Sequence, residues 1–302
     1  MALRADDDLD GTWPFAPHFC HRRAFPMHFV DAGAGSPVVL LHGEPTWGYL
    51  CRRFITPLAG ERRVVVPDHM GFGKSGTPAD RTYLLDEHVD NLEALLVEEL
   101  DLHDITLVLH DWGGLIGGGF ALRHPDRVAR MSLINTLVPL GLQHDVRHLV
   151  GNFERSAWFT WAREAFDNGT SEEVLGNAGH TVVHLMLELQ GIVCTEVVDS
   201  TWIRAYSAPF GSKEGCRGVI RFPQQLVAPV RSMLHHHPPP TRRQLPCSDR
   251  NRRCSPTACG IALCWSRNSS RSSRRASRAD LSFGSTTPAT SAQETPPSAW
   301  WR

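Results

Sequence analysis

His110-Asp111-Trp112-Gly113-Gly114 follows the apolar run Ile105-Thr106-Leu107-Val108-Leu109 and precedes a helical stretch over residues 115–124. A strand that turns sharply into a helix lifts the residue at the turn clear of the sheet, beside unpaired backbone N–H groups at the helix start. It also needs glycine where the two backbones pass closely. The residue at the turn here is an aspartate. Aspartate is equally a favoured helix N-cap, so a plain cap is the competing reading of Asp111 when this stretch is taken alone.

Working outward, residues 27–32 and 37–42 read as strands, the second a buried run (Val38-Val39-Leu40-Leu41) that ends in the turn His42-Gly43-Glu44-Pro45. Arg63-Val64-Val65-Val66-Pro67-Asp68 repeats the pattern, with room for a helix over residues 47–58 between them. Residues 88–100 are amphipathic, with Val89, Leu92, Leu95, Leu96 and Leu100 near helical spacing, and they lead into the run before Asp111. A further strand is expected over residues 131–135. Strands alternating with helices imply an α/β fold whose mostly parallel sheet carries helices on both faces. The domain reading is a core over residues 1–136, a helical cap over 137–224 (helices near 153–166, 171–190 and 197–206), and a low-complexity tail over 225–302.

The formal net charge of −1 over 302 residues gives no reason to expect a nucleic-acid or membrane-surface partner and favours a small-molecule enzyme. The start Met-Ala-Leu-Arg-Ala-Asp-Asp-Asp has no basic-then-apolar leader, so a cytoplasmic chain is expected. Eight cysteines without a CxxC pair read as reduced thiols. Beyond about Val230 the texture breaks: His235-His236-His237-Pro238-Pro239-Pro240 opens a Ser/Arg/Pro-rich segment without lysine or sustained periodicity. Four of the eight cysteines, with Trp300 and Trp301, lie in this stretch. Disordered tails are poor in both residue types, which favours a coding sequence read out of frame over a natural tail. A zinc site from the histidine run and Cys247, Cys254, Cys259 and Cys264 matches no standard spacing.

Four stretches together, His42 to Tyr49 (HGEPTWGY), Pro67 to Ser75 (PDHMGFGKS), HDWGG and His124 to Val128 (HPDRV), resemble the haloalkane dehalogenases of the α/β-hydrolase superfamily, over residues 15–225. The resemblance implies that Asp111 is a nucleophile that displaces halide from an sp³ carbon to form an alkyl ester. The N–H groups of Glu44 and Trp112 would form the oxyanion hole for hydrolysis of that ester. It implies halide binding by the indoles of Trp112 and of a cap tryptophan, Trp161 with Trp158 as fallback, and places Phe159 and Pro223 in the pocket lining. The expected reaction consumes a haloalkane and water, releases alcohol and halide, and uses neither cofactor nor metal, in a monomeric detoxifying enzyme.

The family's triad histidine and acid follow the cap, and neither can be assigned here. Asn135 stands where some relatives carry the acid, His235 to His237 come too early, and Asp249 and Asp280 lack a strand before them. Gly117, Gly118 and Gly119 are expected to weaken the helix after Asp111, at about 1 kcal/mol each relative to alanine. Three alternatives stay open or are set aside. An epoxide hydrolase would need cap tyrosines, of which the region has only Tyr206. A serine esterase lacks its nucleophile. A catalytically impaired remnant fits the missing triad members.

Overall fold

The apolar run that leads to Asp111 forms strand β5 (Ile105–His110) of a six-stranded sheet. A computed structural model describes residues 6–138, 157–188 and 195–227. The other strands are β1 (His18–Cys20), β2 (Met27–Ala32), β3 (Pro37–Leu41), β4 (Arg63–Pro67) and β6 (Val128–Ile134), in the spatial order β1-β2-β4-β3-β5-β6. β1, β2 and β4 pair antiparallel in turn, whereas β4, β3, β5 and β6 are parallel. Every residue of β3 is buried, as expected of a central strand covered on both faces.

Three crossover helices follow the sheet: α1 (Arg52–Ala59), α2 (Leu85–Glu93), which continues as a π-helical turn over Ala94–Glu99, and α3 (Trp112–Arg123). α3 lies on β3 and β5 and packs along α2; α1 lies on β4 and β2. α3 carries the glycines that the sequence reading expects to weaken it, and two of the helix's glycines lie close against the sheet. A Cβ on Gly113 would stand 2.5 Å from the Leu41 carbonyl oxygen, and one on Gly117 2.5 Å from Leu109 Cδ2. At Gly113 the obstacle is backbone, so the close approach of helix to sheet there calls for glycine.

Beyond β6 the described elements are helical: α4 (Ala157–Asp167), α5 (Ser171–Leu175), α6 (Ala178–Glu188), α7 (Ser200–Ser207) and α8 (Arg217–Val227). The single helix expected over 171–190 is two, split at Gly176-Asn177. α8 lies beyond the last helix expected from sequence, and it contains Gly218 and Pro223, breakers by local rule. Gly218 is instead a contact point, where a Cβ would meet the Gly71 carbonyl oxygen at 2.7 Å. The helix from 47 onward begins as a 3-10 turn (Gly48–Cys51) before α1, and β1 carried too short a pattern to be read.

The helical layer is tied to the sheet by aromatic residues. Trp47 Nε1 donates to the Ala205 carbonyl at 2.8 Å, and Trp47 packs on Trp13 and Tyr49, with Tyr206 against Tyr49. No helix among the described residues is long and apolar enough to cross a membrane. The histidine run, the tail cysteines and the tail tryptophans lie outside the described residues.

Candidate active site

Asp111 occupies the junction of β5 and α3 with φ 50° and ψ −124°. Such a backbone costs an L-residue about 1–3 kcal/mol and persists only where its surroundings hold it. Here the Gly114 N–H donates to the Asp111 carbonyl at 2.9 Å, and the Thr136 hydroxyl donates to the same oxygen.

The side chain settles the competing reading. It makes no capping bond to α3. Instead Asp111 Oδ1 accepts the backbone N–H of Glu44 at 2.8 Å. Asp111 is therefore turned from its own helix toward the loop after β3, and Gly43 is the residue that makes room: a Cβ there would stand 2.2 Å from Asp111 Oδ1. The carboxylate remains half-buried, so one oxygen is held while the group stays open to a ligand.

The Glu44 side chain is buried beside it, next to Trp112. Burial, and then the charge of Asp111, raise the Glu44 carboxyl well above the usual carboxylate range.

Of the residues expected from sequence, Asp111, Glu44 and Trp112 converge. Among the described residues the ring packed on Trp112 is Phe222, with centroids 4.5 Å apart; Phe222 also contacts Phe72 and His88. Sequence reading named Pro223, which is buried in α8, but missed its neighbour Phe222, although both belong to the same Arg221-Phe222-Pro223 stretch. Trp161 lies on α4, half-buried and stacked on Trp158 at 5.3 Å. Phe159 is on the same helix, and its side chain falls outside the described residues.

Four buried or largely buried histidines surround the loops. Burial lowers the pKa of His42, of His69 well below the usual range, of His88 to about 3, and of His110 beside Asp111. These are poor bases. An Asp–His pair does exist, His28 Nδ1 to Asp68 Oδ2 at 2.8 Å, but it serves as a brace. Asp68 also accepts the N–H of Gly48 at 2.8 Å and of Lys74 at 2.8 Å, joining the loops after β3 and β4. Burial alone would raise the Asp68 pKa; His28, together with His42 and the Lys74 N–H, outweighs it and holds the carboxyl low.

Residues 36–171 match the family described as the α/β hydrolase fold. The chain is 47% identical over 156 residues to a haloalkane dehalogenase of Psychrobacter cryohalolentis, a match covering 48% of this chain and 51% of that one. It is 42% identical over 130 residues to a cis-3-alkyl-4-alkyloxetan-2-one decarboxylase of Shewanella oneidensis, covering 42% and 41%. The chain therefore spans about half the length, or less, of these curated relatives. Among solved structures, the tetrameric haloalkane dehalogenase from Paraglaciecola agarilytica superposes with a TM-score of 0.53 at 29% identity, over 74% of this chain and 71% of the other. The fold is that of the α/β hydrolases, and the sequence resembles the haloalkane dehalogenases.

Proposed function

We propose, taking the α/β-hydrolase fold and the dehalogenase likeness as the premise, that this chain attacks haloalkanes through Asp111. The observation that carries the reading is the Asp111 carboxylate: released from a capping role, held at one oxygen by the Glu44 N–H at 2.8 Å, and set beside Trp112. One Asp111 oxygen bonds to the sp³ carbon, the carbon–halogen bond breaks, and halide departs with the electron pair. The Trp112 indole, a donor without an acceptor to repel the anion, is the first halide ligand. Trp161 is the candidate second one, and Phe159 and Pro223 belong to the lining.

In the second step water adds to the ester carbonyl of Asp111, giving alcohol, a proton and the regenerated carboxylate. The negative charge that builds on the carbonyl oxygen falls to the N–H groups of Glu44 and Trp112. The described histidines near the site are depressed in pKa and do not supply a strong base. Alkylation is therefore expected to outrun hydrolysis. No step in this sequence calls for a cofactor or metal.

The cap tyrosine speaks against epoxide chemistry. Tyr206 is fully buried against Tyr49 and Trp202 and is not exposed to protonate an epoxide oxygen.

Intact-protein mass spectrometry after incubation with 1,2-dibromoethane tests the reading. The expected result is one bromoethyl group per chain that persists, and that is lost in Asp111→Ala. Sustained halide release over many turnovers would overturn the slow second step. Carbon dioxide release from a cis-3-alkyl-4-alkyloxetan-2-one without any haloalkane adduct would replace the reading with the chemistry named for the Shewanella relative. Translating the gene in all three frames beyond the Gln225 codon shows whether a histidine-bearing segment lies in another frame.

A further inference from the structure

Gly43 and Glu44 share one peptide unit. The only cis bond in the loop is Glu44-Pro45, so the Gly43-Glu44 peptide is trans, and its carbonyl and N–H point in opposite directions. On one side the Glu44 N–H reaches Asp111 Oδ1 at 2.8 Å. On the other, the Gly43 carbonyl oxygen accepts three hydrogen bonds: from the Thr46 hydroxyl at 2.8 Å, from His42 Nδ1 at 2.9 Å, and from the Thr46 N–H at 3.0 Å.

The His42 tautomer follows from its second nitrogen. Nε2 accepts the His69 N–H at 3.0 Å, so it carries no proton, and Nδ1 is the donor. His69 Nε2 in turn donates to the His42 carbonyl at 3.0 Å, and the two rings lie 4.3 Å apart, both fully buried. Thr46 is likewise buried. Neither His42 nor Thr46 bonds to Asp111; both act on the far end of the peptide that does.

We propose that Thr46 and His42 are positioning residues that clamp the Gly43 carbonyl and thereby aim the Glu44 N–H at Asp111. The chemical consequence rests on the function proposed above; the geometric one does not. Rotation of the peptide plane would swing the N–H away from the carboxylate, and three donors on the carbonyl prevent it. Donors on a carbonyl also polarise the amide, so the N–H opposite becomes the stronger for it. The clamp matters most when charge develops on the ester carbonyl oxygen, and less when Asp111 attacks as an already charged group.

Thr46→Val removes the hydroxyl at constant shape, and Thr46→Ser restores it; Thr46→Ala takes the place of the valine variant if that one fails to fold. The first measurement uses unreacted protein: the chemical shift and hydrogen-exchange rate of the Glu44 amide by two-dimensional NMR. In Thr46→Val the amide is expected to move upfield and exchange about five- to tenfold faster, the effect of losing one neutral hydrogen bond, while Thr46→Ser stays at wild type.

The second measurement follows cleavage of the bromoethyl ester by added hydroxylamine, which needs no protein base. Formation of the ester should change less than twofold in Thr46→Val, and its cleavage should slow about five- to tenfold, with recovery in Thr46→Ser. A Glu44 amide unmoved in Thr46→Val, or a Thr46→Ser variant as impaired as the valine, overturns the proposal. If wild type forms no ester, the functional reading fails, and the amide measurement still decides the clamp.

Discussion

The two sides of β5 are finished to different degrees. Toward β3 every strand residue is buried, α3 seals the junction through Gly113 and Gly117, and the Asp111 carboxylate meets a donor aimed by the neighbouring loop. Toward β6 every residue is half-buried or exposed, and Ile134 is 37% exposed at the strand's end. Alternate residues of β5 itself, Thr106, Val108 and His110, share that half-covered character. A parallel sheet is ordinarily covered on both faces, so β6 marks where the cover runs out among the described residues. Under the function proposed above, the attacking carboxylate of Asp111 and the donor that holds it lie on the β3 side. Regeneration, in the family this chain resembles, draws on groups that follow the cap, and the two halves of the reaction divide along the same line as the packing.

The largest effect that would sharpen this contrast lies at the brace of the finished side. Asp68→Ala leaves His28 and the N–H groups of Gly48 and Lys74 without their acceptor in a fully buried place. It is expected to cost about 3–5 kcal/mol in urea unfolding. The sign with pH follows from the lowered Asp68 pKa. Its contribution is present above the ordinary carboxylate range and is lost as pH falls through the depressed folded value, so the wild-type advantage over the variant should shrink in acid. A variant as stable as wild type at neutral pH would remove the brace from the account.

A matched pair of truncations tests the contrast itself. Leu107→Ala on β5 removes a fully buried side chain and is expected to cost about 2–5 kcal/mol, whereas Leu133→Ala on the half-covered β6 should cost about 1 kcal/mol or less. Equal costs would mean that β6 is as well packed as β5, and the division would fall.

The smallest effect is the pH response of Glu44. Its folded pKa is raised, so above the ordinary value the unfolded chain gives up a proton that the folded chain keeps, and stability falls as pH rises. Glu44→Gln should remove a slope of at most about 1.4 kcal/mol per pH unit on the alkaline side of the ordinary carboxylate value. A slope that is unchanged in the variant assigns it to another group.

Much of the finished side was legible in sequence. β-branched runs ending in turns gave β3, β4 and β5, and the aspartate followed by two glycines marked the junction before any coordinates. α8 was not legible, because Gly218 and Pro223 are breakers by local rule. Only the contact of Gly218 with Gly71 shows that the glycine is there for packing. Phe222 was missed for a related reason: its place on Trp112 depends on α8 being a helix at all. The same holds for Thr46 and His42, whose partner is a carbonyl oxygen, a group that every residue carries and no sequence distinguishes.

The sequence alone determined the class of fold and singled out Asp111 at the junction, because periodicity and a sharp glycine-flanked turn are local properties that neighbouring residues dictate. It could not separate a helix cap from a nucleophile at Asp111, since both need the same residue in the same place. Tertiary structure supplied the observation that bears on it, by bringing the Glu44 N–H to the carboxylate from a loop sixty-seven residues earlier in the chain, with no side-chain bond from Asp111 to its own helix. It also decided that the Glu44 carboxyl is pushed above the ordinary carboxylate range, as the pKa of a buried carboxyl depends on the charge and solvent around it and not on the residues beside it in sequence.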